Sequence, residues 1–268
     1  MVVSKLYEGF FARFAAAHLT VTAAMARFLK SEFSVTALPL HDRPPAYFQP
    51  LTNVQRSSFL VKLPDTAQHA AAILEGKTKL IVSSTSWTAD EDFSILLDAL
   101  VDYSAKSTGQ ANLPKIVAII TGKGPLKQHY LSKIKALVDD QKLSNVQILT
   151  AWLSTEDYAS LLGAADLGVS LHTSSSGVDL PMKVVDMFGT GLPVVGWSKF
   201  EAWPELVQEG VNGRGFGSAD ELQALFVELF EGDGRPLQAL RQGALKECKR
   251  RWDDEWDPVA GRLFGLVT

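Results

Sequence analysis

Residues 165–195 constrain the fold more than any other stretch of this chain. An apolar strand over 165–171 runs into the small polar loop Thr173-Ser174-Ser175-Ser176-Gly177. A short helix follows, opened by Pro181 and stopped by Gly189 and Gly191, and a second apolar strand begins at 192–195. Proline suits a first helical turn, where its missing N–H has no partner to lose. A strand that feeds a small-residue loop into a helix N-terminus aims several N–H groups at one point, and such a point favours an anion. This is phosphate-binding architecture. Asp186 lies in the second turn of that helix, within reach of a sugar hydroxyl beside a bound phosphate. Lys183, one turn earlier, can neutralise the phosphate. Both residues also fit a solvated helix face, and the pattern alone leaves that open.

The rest of the chain repeats the same alternation. Apolar strands are predicted over 79–84, 115–121 and 145–149. Helices follow them, with Phe93, Leu96, Leu97 and Leu100 at helical spacing in the first and Ser154 or Ser218 as N-caps of later ones. Thr88-Ala89-Asp90-Glu91 has capping-box spacing ahead of Phe93. Before this region the text predicts a helix over 5–17, a short strand over 19–22 and a helix over 23–30. An extended connector follows over 35–65, where Pro39, Pro44, Pro45, Pro50 and Pro64 argue against long helices. The tail over 235–267 reads as helical with a break at Asp257-Pro258, and its charged run around 246–255 reads as a solvated helix face. On the opening helix, Met182, Val185 and Gly189 define the expected buried side. Strand–helix alternation of this kind predicts an α/β protein with a doubly wound parallel sheet, and ligands sit at the carboxyl ends of its strands. The loops at 122–125 and 173–177 both lie on that edge.

Composition narrows the function. With 268 residues, 46% of them hydrophobic, the chain can bury a large core. A formal charge of −4 excludes a broad basic surface, so no nucleic acid is expected as a partner. The single cysteine, Cys248, excludes an intramolecular disulfide and fits a reducing compartment. No apolar run approaches the ~20 residues of a membrane-spanning helix. Gly122-Lys123-Gly124 lacks the third glycine and the acid of a dinucleotide site, so its glycines read as a tight turn that also allows close approach of a ligand. His172 ends a strand at the ligand edge, where it can meet phosphate or sugar, or be satisfied locally. No metal-ligand spacing, Walker loop or nucleophile elbow is present.

The motif Leu171-His172-Thr173-Ser174-Ser175-Ser176-Gly177-Val178-Asp179-Leu180-Pro181-Met182-Lys183-Val184-Val185-Asp186-Met187-Phe188-Gly189 closely resembles the signature of the chitobiosyldiphosphodolichol β-mannosyltransferases. So do Ser83-Ser84-Thr85-Ser86-Trp87-Thr88 with Asp90-Glu91-Asp92-Phe93, Ile120-Thr121-Gly122-Lys123-Gly124-Pro125, Trp152-Leu153 with Glu156-Asp157-Tyr158, and Arg251-Trp252-Asp253-Asp254-Glu255-Trp256. More broadly, Gly191-Leu192-Pro193-Val194-Val195 and Asn212-Gly213 resemble the sugar-nucleotide half of two-domain (GT-B) glycosyltransferases. The resemblance implies inverting β-1,4 transfer of mannose from GDP-mannose to dolichyl-diphosphate-chitobiose in N-glycan precursor assembly. It places the reaction on the cytosolic face of the endoplasmic reticulum, in association with other mannosyltransferases of that membrane, with no metal and no other cofactor. It assigns GDP-mannose binding to Gly122, Gly124, Trp152, His172, Ser174, Ser175, Ser176, Gly177, Asp179, Lys183 and Asp186. Asp186 faces the ribose, the loop from Ser174 to Gly177 faces the diphosphate or mannose, and residues 150–153 flank guanine.

Two departures from the family follow. Retaining relatives carry two acids eight residues apart on this helix. Here Asp186 matches the second and Val178 stands at the first, in keeping with inversion. At the front, the resemblance implies a Rossmann-like C-terminal half of a GT-B enzyme with only a remnant of the N-terminal half. Residues 1–35 are that remnant, 36–250 the GDP-sugar-binding domain and 251–268 a helical tail. Since the acceptor half and its base would lie outside this sequence, the chain is expected to bind donor and turn over little alone. The alternative is a non-catalytic nucleotide-sugar-binding or interaction module derived from the family.

Overall fold

The computed structural model describes residues 2–109, 112–173 and 176–267, with side chains from Tyr7 onward. Ser174 and Ser175 therefore lie outside the described residues. The chain opens with α1 (Val2–Ala12), β1 (Leu19–Thr20), α2 (Ala23–Phe33) and β2 (Leu38–Pro39), and β1 pairs with β2 in parallel. The Thr22 side chain caps α2 by accepting from the Met25 N–H, and its hydroxyl donates to the Val178 carbonyl at 2.5 Å. The Glu205 carboxylate accepts from the Ala23 and Ala24 N–H groups at 2.6 and 2.7 Å. An anion at a helix N-terminus meets both its free donors and its dipole, so this contact fastens the first segment to the body of the protein.

The proline-rich connector holds more helix than its sequence predicts. Between Pro50 and Pro64 lies α3 (Asn53–Lys62), ten residues opened by a reciprocal capping box of Thr52 and Gln55. Prolines at both ends bound a helix without breaking it, which the spacing argument overlooked. Two short helices follow, α4 (Pro64–Ala67) and α5 (Ala70–Leu74).

The regular alternation then runs as expected: β3 (Thr78–Ser84), α6 (Phe93–Gly109), β4 (Lys115–Thr121), α7 (Lys127–Asp139), β5 (Val146–Ala151), α8 (Thr155–Ala164), β6 (Leu167–Ser170), α9 (Met182–Gly189), β7 (Val194–Trp197), α10 (Trp203–Leu206), β8 (Gly213–Phe216) and α11 (Ala219–Phe230). The six strands from β3 to β8 form one all-parallel sheet in the order β5-β4-β3-β6-β7-β8. Counted within the sheet this is the doubly wound order 3-2-1-4-5-6, which changes direction between β3 and β6. Strand side chains alternate between two cores. Ile81, Ile116, Ala118 and Ile120 pack beneath α6, α7 and α11, whereas Leu80, Val82, Val117 and Ile119 pack beneath α3, α8 and α9. A strand buried on both faces must be apolar throughout, which is why these strands stand out in the sequence.

The sequence misplaces two helix boundaries. Helix α6 starts at Phe93, where the Asp92 carboxylate accepts from the Ser94 N–H at 3.0 Å, and the box at Thr88–Glu91 goes unused because Glu91 turns inward. The tail breaks near residue 250, between α12 (Arg235–Glu247) and α13 (Trp252–Trp256), and Pro258 sits in a π-helical turn (Asp257–Gly261) that continues α13.

The charged run at 246–255 is not simply a solvated face. Arg43 from the connector donates to Glu247 at 2.6 Å and to Glu255 at 2.9 Å, with all three side chains nearly covered. Arg251 donates to the carbonyls of Phe48 and Gly189 at 2.9 and 3.3 Å, tying the tail to the connector and to the C-terminus of α9. Arg250 also reaches both carboxylates but is half exposed, so removing Arg43 takes away their one covered guanidinium. Arg43→Met is therefore expected to lower unfolding stability by about 3 kcal/mol in urea titrations at neutral pH. A loss below about 1 kcal/mol, the value typical of an exposed pair, would contradict this reading.

Candidate nucleotide-sugar site

The register of the parallel sheet sets out the site. Ser84 pairs with Thr121, and Thr121 pairs with Ala151, so these last strand residues form a row along the carboxyl edge. A cleft of about 350 Å³ opens over that row, walled by Thr85, Gly122, residues 152–155, Tyr158 and Lys183. It lies beside the point where the sheet reverses direction, where doubly wound sheets bind ligands. Its floor is polar and linked. The Thr121 hydroxyl donates to Ser84 Oγ at 2.9 Å, and Ser84 Oγ lies 2.9 Å from the Tyr158 hydroxyl. Burial pushes the Tyr158 phenol up to about 12, so it stays protonated.

Gly122 lines the cleft, and both predicted glycines are also required by a neighbouring loop. Gly122 has φ +124°, and a Cβ there would stand 1.9 Å from the Thr85 carbonyl oxygen. A Cβ on Gly124 would stand 1.7 Å from the Ser86 carbonyl oxygen. No larger residue fits at either position, because the loop after β4 presses on the loop after β3.

That neighbouring loop is fastened from within. Thr85 donates its N–H to Thr121 O at 2.9 Å, and Trp87 donates its N–H to Thr85 Oγ1 at 3.0 Å. The Trp87 ring is fully buried against Phe93 and Tyr130. The buried Glu91 carboxylate accepts from the Thr85 hydroxyl at 2.9 Å and the Ser86 N–H at 2.5 Å, and it forms an ion pair with Lys183. Burial opposes ionisation of Glu91, but the donors from Lys183, Ser86 and Thr85 outweigh it and hold its carboxyl below the usual range.

Helix α9 supplies the opposite wall. Pro181 precedes it and offers no side-chain cap, which leaves the helix N-terminus for another acceptor. Lys183 lies on the cleft, whereas Met182, expected on the buried side, is exposed; Val184, Val185, Met187 and Phe188 form the buried side. Asp186 is half-buried near Tyr158, and loss of hydration raises its pKa to about 7.

The remaining sequence candidates form a second group along the same edge. His172 Nε2 lies 2.8 Å from Asp179 Oδ2, and the Ser176 hydroxyl donates to Asp179 Oδ1 at 3.0 Å. The Gly177 carbonyl accepts from Glu201 and Ala202. His172 thus has Asp179 as a local partner. Trp152 stands at the outer lip of the cleft, 64% exposed, with Lys123 Nζ 3.8 Å above its ring. Sequence reasoning missed Glu91 and Tyr158. Glu91 looked like a helix cap, and Tyr158 carried no signal beyond its place in a family motif.

A sheet of order 3-2-1-4-5-6 with a polar-floored cleft at its reversal, a cation on the wall and an uncapped helix N-terminus defines a doubly wound α/β protein with its cleft where such sheets bind ligands. A family profile described as "Glycosyl transferases group 1" matches residues 76–231, more than half of the chain. The chain belongs to the group 1 glycosyltransferase family. Among curated relatives, the chitobiosyldiphosphodolichol beta-mannosyltransferase of Arthroderma benhamiae is 58% identical over 267 residues, covering 98% of this chain and 60% of the relative. The human protein of the same name is 38% identical over 96% of this chain and 60% of its own length. The chain therefore spans about three fifths of the curated relatives it matches. Among solved structures, Anabaena HepE in complex with UDP superposes with a TM-score of 0.72 at 20% identity, over 95% of this chain and 65% of that one. The C-terminal domain of a group 1 family protein (LpcC) from Francisella tularensis gives 0.57 at 15% identity, over 78% of this chain and 97% of that one. These likenesses show the fold, that of the GT-B glycosyltransferases.

Asp186 makes stability depend on pH in a stated direction. Its folded pKa is raised above the unfolded value of 3.8, so the folded state holds a proton that the unfolded state has lost. Stability therefore falls as pH rises from about 4 to about 7, and Asp186→Asn removes that fall. Relative to wild type, the Asn variant is expected to gain about 2 kcal/mol in unfolding free energy between pH 5 and pH 8. An unchanged difference between the two pH values would contradict the buried-carboxyl reading.

Proposed function

We propose that this chain carries the donor site of a chitobiosyldiphosphodolichol β-mannosyltransferase. The reaction transfers mannose from GDP-mannose, with inversion, to O4 of the terminal sugar of dolichyl-diphosphate-chitobiose. The observation that carries the reading is Lys183 on the cleft wall, one residue into α9, whose N-terminus has no side-chain cap. A diphosphate there receives helix N–H groups and an ammonium together. When the glycosidic C–O bond breaks, negative charge grows on the β-phosphate oxygen. Donors already fixed at that point stabilise the transition state more than the ground state.

The other contacts follow from the cleft. Ionised Asp186 accepts from the ribose hydroxyls, with Tyr158 beside it as a permanent donor. Guanine lies along the wall formed by Trp152 and Leu153. Mannose points toward the group of Ser176, Asp179 and His172. In this reading the donor is GDP-mannose, the acceptor is dolichol-linked, and the reaction takes place at the cytosolic face of the endoplasmic reticulum. Association with other mannosyltransferases of that membrane belongs to the same reading. Among the described residues no helix is long and apolar enough to cross a membrane.

Calorimetric titration of the purified 268-residue chain tests the donor site. GDP is expected to bind at least tenfold more tightly than UDP, and Lys183→Met to weaken GDP binding by tenfold or more, about 1.4 kcal/mol. Absence of any GDP binding, or equal binding of UDP, would overturn the assignment. GDP binding at pH 6 is also expected to release a proton as Asp186 ionises against the ribose, seen as heats that vary with the ionisation enthalpy of the buffer. Buffer-independent heats would remove Asp186 from that role. Radiolabelled mannose transfer to a chitobiosyl-diphosphate lipid separates an active transferase from a donor-binding module.

A further inference from the structure

The cleft wall has an element that the donor reading does not use. Glu91 lies behind the cleft, with only 6% of its side chain exposed, yet it remains ionised between two elements that meet at the sheet reversal. Its two oxygens have separate tasks. Oε2 takes the Thr85 hydroxyl and the Ser86 N–H, which fixes the loop after β3. Oε1 takes the Lys183 ammonium, which belongs to the helix after β6. One carboxylate thus spans the point where the sheet changes direction.

The exposures of the pair differ. Lys183 keeps 31% of its side chain exposed and lines the cleft, while Glu91 is covered by the loop it holds. A lysine has a flexible four-carbon stem and three donors. Glu91 engages one donor and fixes the chain, leaving the ammonium in place with further donors toward the cleft. Such a pair is a poor stability device, because removing two charges from water cancels most of their attraction. Its effect is to order a cation before the anion arrives, and prior ordering of this kind strengthens binding by reducing the entropy lost in the complex.

We propose that Glu91 is a positioning residue for the donor diphosphate, holding the Lys183 ammonium against the cleft so that the lysine meets the diphosphate already ordered. The proposal rests on the donor-site reading above. It predicts that Glu91 acts on nucleotide binding only through Lys183 and only on the phosphates.

A double-mutant cycle on the full chain tests this, with GDP and guanosine as titrants and thermal melting as the check on folding. Glu91→Gln is expected to weaken GDP binding about tenfold and leave guanosine binding unchanged. In a Lys183→Met background the same substitution is expected to change GDP binding less than twofold. An equal tenfold loss in both backgrounds, or a parallel loss for guanosine, would show that Glu91 acts only as a brace for the loop and would overturn the proposal. If Glu91→Gln melts below the assay temperature, Glu91→Asp serves instead. It keeps the charge and withdraws it by one methylene, and an intermediate loss confined to GDP is expected. GDP affinity identical to wild type in that variant would overturn the proposal. Failure of wild type itself to bind GDP would refute the donor site, an outcome distinct from wild-type binding that Glu91 does not influence.

Discussion

The parallel pairing of β3 with β6 is the constraint on which the rest depends. At that pair the sheet stops growing in one direction and starts in the other, so the helices that follow the two strands leave on opposite faces and open a crevice between them. Every functional group discussed above is referred to this seam. The loop after β3 brings Thr85 and Glu91, the helix after β6 brings Lys183 and Asp186, and the strands next to β3 supply the floor. The two cores on either face are apolar and closely interleaved, and they hold the seam in register. A slip of one residue in β3 would exchange Ile81 with Leu80 and Val82 between cores, so the register is strongly specified.

Electrostatics at the seam depends on depth. Glu91 and Asp186 are both carboxylates at this seam, and their environments push them in opposite directions. Glu91 is compensated by three donors and stays ionised, whereas Asp186 is desolvated without such donors and holds its proton near neutrality. A site of this kind has a fixed cation and a titrating acceptor, which suits a ligand that brings both phosphates and hydroxyls. The same logic of buried charge holds the ends of the chain. Glu205 closes the N-terminus of α2, and Arg43 gathers Glu247 and Glu255 beneath the tail.

Much of the fold was legible in the sequence, because strands buried on both faces must be continuously apolar, as 79–84 and 115–121 are. Local caps at Ser154 and Ser218 were legible for the same reason: their hydrogen bonds span only three residues. What the sequence concealed depends on distant contacts. Glu91 has the spacing of a capping residue, and only the approach of Lys183 from across the sheet gives it another task. Helix α3 was hidden because prolines were counted as breakers although they stand outside its ends. The glycines at 122 and 124 were recognised as special, while the Thr85 and Ser86 carbonyls that press on them come from another loop that the sequence could not place. The charged tail looked solvated because Arg43 lies about two hundred residues away in the sequence.

The central claim is that the edge of the sheet at this seam receives a nucleoside diphosphate. Hydrogen–deuterium exchange of the chain with and without saturating GDP tests it directly. Slowed exchange is expected in the backbone amides of 84–87, 121–124, 151–158 and 176–184, with little change in α1, α2 and the tail. Protection confined to other segments, or none at saturating GDP, would contradict it.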